Sequence, residues 1–236
     1  MANGEYNDAT LALISRLLIK NPEYYTLWNH RRRILSSSHF SIQKKTLPPP
    51  HTGADGSEAS AVSTTPLDTG APPNNEQQAT VDLRLTPILS SELKSLLPLL
   101  RSFPKCYWIW EYRKWLLTQS QTLLSPAAAN VFWQGDLSLV SKLLAADGRN
   151  FHAWEYRRFI VDSIEALRLA ADPDKSRDAE LRKLRCETEI AYTTQMIKKD
   201  LSNCSAWHYR SVLLPQMFLV FRTKGPSRNA YFEEGG

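Results

Sequence analysis

The sequence contains few cysteines and no apolar run of membrane length. Cys106, Cys186 and Cys204 lie far apart and form no CxxC pair. This spacing excludes a disulfide framework and fits a reducing compartment, so we expect a cytoplasmic protein. No apolar stretch reaches the ~18 residues of a membrane span, which predicts that the chain has no transmembrane segment. Glu5 and Asp8 give an acidic N-terminus, which argues against a signal peptide.

Aromatic and basic residues are both missing from residues 46–80, which contain six prolines and four acids. Such a composition cannot bury enough apolar area to offset the entropy lost on ordering. We therefore predict a disordered insertion, rich in Pro, Ser and Thr, over residues 46–84. The run Pro48–Pro50 leaves a polyproline docking ligand as the alternative. When the four acids are removed from the net charge of +5, the rest of the chain carries +9.

Outside this segment the apolar residues recur at helical spacing. Leu11, Ile14 and Leu18 share one face of a predicted helix. Ser125-Pro126 predicts a helix start, because Ser caps the first turn and Pro fits the first helical position. Asp147-Gly148 predicts a helix stop. No alternating strand pattern with hairpin turns is present, so we predict an all-α fold.

Four segments share one register and predict helical hairpin repeats. They are NPEYYTLWNHRRRIL (21–35), FPKCYWIWEYRKWLL (103–117), DGRNFHAWEYRRFIV (147–161) and DLSNCSAWHYRSVLL (200–214). Each segment places an Arg three residues after a Trp, in the pairs Trp28/Arg31, Trp110/Arg113, Trp154/Arg157 and Trp207/Arg210. The repeating unit of roughly 35–50 residues is typical of helical repeats.

The physical role predicted for this repeat is packing. A Trp side chain buries about 150–250 Å², so we expect all four rings to lie in the core. An Arg three residues later lies on the same helix face and can bind carboxylates or carbonyls of the neighbouring hairpin. Stacked hairpins of this kind form a TPR-like α-α superhelix. The predicted boundaries are 1–45 for the first hairpin, 46–84 for the insertion, 85–221 for further hairpins and 222–236 for an irregular tail.

The Trp-x-x-Arg repeat, with NP or PK before it, resembles the repeat of protein prenyltransferase α subunits. The segments Asp147–Val161 and Asn203–Gln216 are most similar to the α subunit of type II, or Rab, geranylgeranyl transferase. The shared α subunit of farnesyltransferase and type I geranylgeranyltransferase is the alternative. The resemblance covers about 1–45 and 85–217. It implies a helical superhelix around a β subunit, whose α/α barrel holds zinc and the isoprenoid pocket.

The same resemblance implies an activity and a set of site residues. The heterodimer would transfer geranylgeranyl from its diphosphate, bound at the subunit interface, to C-terminal cysteines of Rab proteins that an escort protein presents. Lys105, five residues before the second motif Trp, would be catalytic by supplying positive charge to the departing diphosphate. Tyr107 and His152 would donate hydrogen bonds to the substrate. Asn150 matches the family's substrate-site pattern and is also expected to hold its turn.

The remaining patterns bear on metals, nucleic acids and completeness. The histidines and cysteines do not converge at zinc-ligand spacing, so we expect no metal on this chain and zinc on the β subunit. The aromatics beside the basic residues follow the core register, which argues against nucleic-acid binding. The +9 body favours an acidic partner surface instead. The family has at least one further repeat, so we expect a fragment. A non-catalytic helical-repeat scaffold is the second functional hypothesis.

Overall fold

The computed structural model describes residues 8–41 and 75–222, which form helices and connecting turns without a strand. This confirms the all-α prediction. The α-helices are α1 (Asp8–Lys20), α2 (Tyr25–Ile34), α3 (Asn75–Ser95), α4 (Leu97–Ser102), α5 (Tyr107–Leu123), α6 (Pro126–Ala146), α7 (Phe151–Ala171), α8 (Asp178–Lys199) and α9 (Cys204–Arg222). A π-helical turn, Leu35–His39, continues α2, and a 3-10 turn, Lys175–Arg177, precedes α8. None of the described helices is both long and apolar enough to cross a bilayer.

The third helix begins inside the segment predicted as an insertion, because residues 75–84 belong to α3. Asp82 provides the physical reason. Its carboxylate accepts hydrogen bonds from the Ser125 backbone nitrogen at 2.9 Å, from the Ser125 hydroxyl and from the Gln78 amide at 2.9 Å. These bonds join α3 to the turn between α5 and α6. The rest of the predicted insertion, the Pro48–Pro50 ligand and the tail after Arg222 lie outside the described residues.

The sixth helix begins and ends where the sequence predicts. The Ser125 hydroxyl accepts a hydrogen bond from the Ala128 backbone nitrogen at 3.3 Å, and Pro126 opens the helix. The helix ends at Ala146, just before Asp147-Gly148. A Cβ atom on Gly148 would lie 3.2 Å from the side-chain nitrogen of Asn203. The missing side chain therefore lets the turn of the next hairpin approach closely.

The helices pair into four hairpins that stack in chain order. The hairpins are α1–α2, α3–α5, α6–α7 and α8–α9, and the second helix of each contacts the second helix of the next. One continuous hydrophobic core runs through the stack. The helical-repeat superhelix predicted from the sequence is confirmed.

Three of the four motif tryptophans lie in this core. Trp28, Trp110 and Trp154 are buried, whereas Trp207 is 48% exposed. The core prediction is therefore wrong for Trp207. The reason is that a tyrosine of the following hairpin covers each buried ring, at centroid distances of 4.9 Å (Trp28–Tyr112), 5.2 Å (Trp110–Tyr156) and 6.0 Å (Trp154–Tyr209). Among the described residues no hairpin follows α9 to cover Trp207.

Each of the first three motif arginines forms a buried, two-pronged ion pair with the next hairpin. The shortest contacts are Arg31–Glu92 at 2.6 Å, Arg113–Asp136 at 2.7 Å and Arg157–Glu189 at 2.7 Å. Burial alone would lower the pKa of Arg31, but the hydrogen bond from Arg31 to Glu92 outweighs it and raises that pKa. The guanidinium therefore stays charged in the core. The predicted tie between neighbouring hairpins is confirmed for these three residues.

The sequence reasoning missed the acids of these pairs. Each acid lies 21 residues before the motif arginine of its own hairpin, as the numbering of Glu92/Arg113, Asp136/Arg157 and Glu189/Arg210 shows. That constant offset is the signal that identifies them.

Candidate functional site

Each motif Trp fixes the turn that precedes its own helix. The indole N–H donates to the carbonyl six residues earlier, in bonds of 2.7 Å to Pro22, 3.0 Å to Pro104, 2.8 Å to Gly148 and 2.9 Å to Leu201. The expected site residues lie in or just after these turns. The buried core therefore determines where they are held.

Neighbouring turns are also bonded to each other. The Asn150 amide nitrogen donates to the Pro104 carbonyl at 2.9 Å, and its oxygen accepts from the Ala153 backbone nitrogen at 3.2 Å. Asn203 repeats the first contact one hairpin later, with a 2.6 Å bond to the Gly148 carbonyl. Asn150 is buried, and both ends of its amide are engaged within the protein. This geometry supports its turn-holding role, while its contact with substrate stays a prediction.

The linked turns bring the other three expected site residues to one edge of the stack. Lys105 lies in the turn before α5 and is exposed, and no ion pair of its amine is found within the described part of the chain. Tyr107 is the first residue of α5 and is 44% exposed. His152, in the first turn of α7, is 8% exposed, and its ring centroid is 6.2 Å from that of Tyr107.

His152 is the site residue with a perturbed titration. Burial lowers its pKa, although the charge of Glu155 and the backbone of Lys105 oppose the shift. The imidazole is therefore neutral at pH 7 and carries one N–H. Its buried Nδ1 atom has no hydrogen-bond partner among the described residues. An unpartnered buried nitrogen is costly, so this atom is available to a group that approaches the edge.

Exposed aromatic rings extend the site along the same edge. Tyr25, Tyr107 and Phe151 are the first residues of α2, α5 and α7, and each is about half exposed or more. Trp108 lies between two of them, 4.5 Å from Tyr25 and 5.0 Å from Tyr107. Together with His152 these residues form what we call the aromatic edge. A row of accessible rings suits contact with an apolar ligand or a protein partner.

The described residues offer no fit to a zinc ion. Residues 8–41 and 75–222 contain no group of three or more His, Cys, Asp or Glu side chains that could hold a metal. Burial raises the pKa of Cys106 to about 11, so its sulfur is a thiol at neutral pH. The thiol donates to the Pro22 carbonyl at 3.5 Å, which gives it a structural role between the first two turns.

Comparison with known proteins places the repeats in a family. The protein prenyltransferase alpha subunit repeat matches residues 8–38, 89–120, 133–164 and 186–217, which together make up more than half of the chain. The geranylgeranyl transferase type-2 subunit alpha of Candida albicans is 36% identical over 217 residues. The proteins of the same name in Saccharomyces cerevisiae and Homo sapiens are each 31% identical, over 213 and 214 residues.

These alignments cover different shares of the two partners. They include 92%, 90% and 91% of this chain, but only 46%, 47% and 26% of the Candida, Saccharomyces and human proteins. The chain therefore spans about half the length of the two yeast relatives and about a quarter of the human one.

Proposed function

We propose a function from the premise that this chain belongs to the protein prenyltransferase α-subunit family. It acts with a β subunit as a type II geranylgeranyl transferase, which moves geranylgeranyl from its diphosphate to C-terminal cysteines of Rab proteins. An escort protein presents the Rab protein, and the complex works in the cytoplasm. Zinc and the isoprenoid pocket belong to the β subunit, since this chain's residues do not fit the metal.

The observation that carries the proposal is the grouping of Lys105, Tyr107 and His152 on the aromatic edge. Negative charge develops on the diphosphate as its bond to the isoprenoid carbon breaks, and nearby cations and donors stabilise that charge. The Lys105 amine is exposed and supplies the cation. The Tyr107 hydroxyl and the neutral imidazole of His152 supply hydrogen bonds to phosphate oxygens. The exposed rings beside them contact the β subunit and the isoprenoid chain.

The test is the turnover of the reconstituted heterodimer after Lys105→Ala. Removing one donor to the developing charge should lower turnover by about 10²–10³-fold without changing co-purification with the β subunit. Arg149→Ala is the matched control, because Arg149 holds the same place in the next turn and pairs with Asp200 at 2.9 Å. The control should retain normal turnover. Unchanged turnover in Lys105→Ala would remove this residue from the mechanism.

Two alternatives are separated by related measurements. Co-purification with a farnesyltransferase β subunit in place of the type II one would favour the shared α subunit, although the type-2 names of the relatives support the first reading. A non-catalytic scaffold is favoured only by the aromatic edge, which would also suit simple binding. In that case Lys105→Ala would leave both partner binding and any prenylation unchanged.

A further inference from the structure

One interface repeats between successive hairpins, and α9 carries only one half of it. In each of the three complete interfaces the earlier hairpin supplies a Trp ring, a guanidinium and a turn carbonyl. The later hairpin supplies a tyrosine ring, a carboxylate and a side-chain donor to that carbonyl, as in the pairs Trp110–Tyr156, Arg113–Asp136 and Pro104–Asn150. The fourth hairpin supplies Trp207, Arg210 and the Leu201 carbonyl.

Arg210 is held by its own hairpin but lacks the carboxylate. Its Nη1 atom donates to the Ile190 carbonyl at 3.3 Å and to the Thr194 hydroxyl at 2.5 Å. Arg31 makes the equivalent pair of contacts, to the Leu11 carbonyl and the Ser15 hydroxyl. The remaining nitrogens of Arg31 bind Glu92, whereas those of Arg210 meet no carboxylate within residues 8–41 and 75–222.

Apolar side chains continue the same stripe along α9. Trp207, Arg210, Leu214 and Phe218 are spaced three or four residues apart and share one helix face. Trp207, Leu214 and Phe218 are 48%, 37% and 69% exposed. We call these four residues the open α9 face. A guanidinium set in an exposed apolar stripe fits a segment that has both a carboxylate and aromatic rings.

A second copy of the chain does not offer that chemistry. Head-to-tail stacking would place α1 of the second copy on the open α9 face. The acids Glu92, Asp136 and Glu189 lie 21 residues before the arginine of their own hairpin, and the residue at that offset before Arg31 is Thr10. A threonine cannot neutralise the guanidinium, so copies stacked in this way would leave Arg210 without a counter-charge.

The chain itself contains the matching sequence after α9. Residues 229–234 read NAYFEE, with two aromatic rings followed by two carboxylates. Glu233 lies 23 residues after Arg210, which is the separation between Arg113 and Asp136. The helix continues roughly 18 Å beyond Arg210 to Arg222 at ~1.5 Å per residue. The residues from Arg222 to Glu233 can span a return over that distance, since an extended chain reaches about 3.3 Å per residue.

We propose that the open α9 face binds residues 229–234 of this same chain, with the Glu233 carboxylate on Arg210 and the aromatic rings of Tyr231 and Phe232 against Trp207. The interaction completes the repeating interface at the end of the stack. It does not depend on prenyl transfer.

A double-mutant cycle in the full chain tests the ion pair. Arg210→Gln and Glu233→Gln should each lower the folding equilibrium constant by about tenfold in urea titrations, because each removes a charged hydrogen bond. The combined variant should lose little more than either single variant. Arg182→Gln is the matched control, since Arg182 is exposed on α8 and should combine additively with Glu233→Gln. Additive losses for Arg210 and Glu233 would overturn the pairing.

Quenching of Trp207 by acrylamide tests the aromatic contact. The difference between the native chain and Trp207→Phe isolates this indole from the other six. Deleting residues 229–236 should raise its quenching constant at least about twofold, and dilution should not change it. Equal quenching with and without these residues would overturn the proposal. Protection that appears only at high protein concentration would also contradict it and would indicate a second copy as the occupant.

Discussion

The buried Arg113–Asp136 pair should be far costlier to break than to neutralise. Arg113 is 2% exposed, and its Nε and Nη2 atoms donate to the two carboxylate oxygens at 3.1 and 2.7 Å. Arg113→Met keeps an unbranched apolar stem but leaves the Asp136 charge in the core with only the Tyr156 hydroxyl as donor. Breaking a buried pair in this way costs about 3–5 kcal/mol of unfolding free energy. Asp136→Asn should cost a similar amount, because it leaves the guanidinium without a counter-charge.

The double variant Arg113→Met with Asp136→Asn removes both charges. The asparagine oxygen can still accept from the Tyr156 hydroxyl, so the main loss is the 2.9 Å bond that Arg113 donates to the Leu93 carbonyl. One or two unsatisfied buried groups cost roughly 1–3 kcal/mol each. The double variant should therefore recover about 3 kcal/mol or more of the summed single losses. Against a typical total of ~5–15 kcal/mol, that recovery is easily measured.

The assay is urea unfolding followed by both circular dichroism at 222 nm and tryptophan fluorescence. Two probes are needed because stacked repeats can lose two-state cooperativity. The matched control is the same cycle on Lys183–Glu187, whose side chains are 35% and 48% exposed, with an expected coupling of ~0.5 kcal/mol or less. Additive losses at Arg113 and Asp136, or single losses below about 1 kcal/mol, would mean that water reaches this pair in solution.

Three further predictions follow from the same structure. Trp154→Ala should lower the unfolding free energy by ~3–5 kcal/mol in a circular-dichroism melt, whereas Phe151→Ala, which removes a ring that is 61% exposed, should change it little. Burial alone would raise the pKa of Asp82, but its bonds from Ser125 and Gln78 lower it. The stability that Asp82 contributes should therefore be present above the unfolded pKa of ~3.9, be lost as pH falls through the folded value, and be absent from Asp82→Asn in acid titrations. The lowered pKa of His152 should give an NMR titration midpoint below ~6.5, with stability decreasing as pH falls through that range, and a midpoint above 6.5 would contradict its burial.

The stacking of the hairpins could be predicted from the sequence because it depends on local spacing. Residues three apart share a helix face, so the pair Trp154/Arg157 must present its ring and guanidinium to the same neighbour. The acids that receive these arginines were missed, because Glu92 and Glu189 lie in polar helices where a carboxylate is usually solvated. Only the repeat register, carried over to the first helix of each hairpin, shows that these acids are special.

Two errors have a common physical cause in long-range contacts. Residues 75–84 have a composition that predicts disorder, yet Asp82 is bound by Ser125, which lies 43 residues further along the chain. Trp207 has the same local surroundings in sequence as Trp154, yet it is exposed. Whether a motif ring is buried is decided by the tyrosine of the next hairpin, which no window around the ring contains.

The candidate site shows a different division between sequence and structure. Resemblance to a family singled out Lys105, Tyr107 and His152, but their proximity comes from core contacts that the site residues do not make. The Pro104 carbonyl accepts from both the Trp110 indole and the Asn150 amide, and these two bonds hold the turns of Lys105 and His152 together. Substitution of Lys105 can therefore change chemistry without changing the edge. Substitution of Asn150 moves one turn relative to the other, so activity lost in that way would report on positioning and not on contact with the diphosphate.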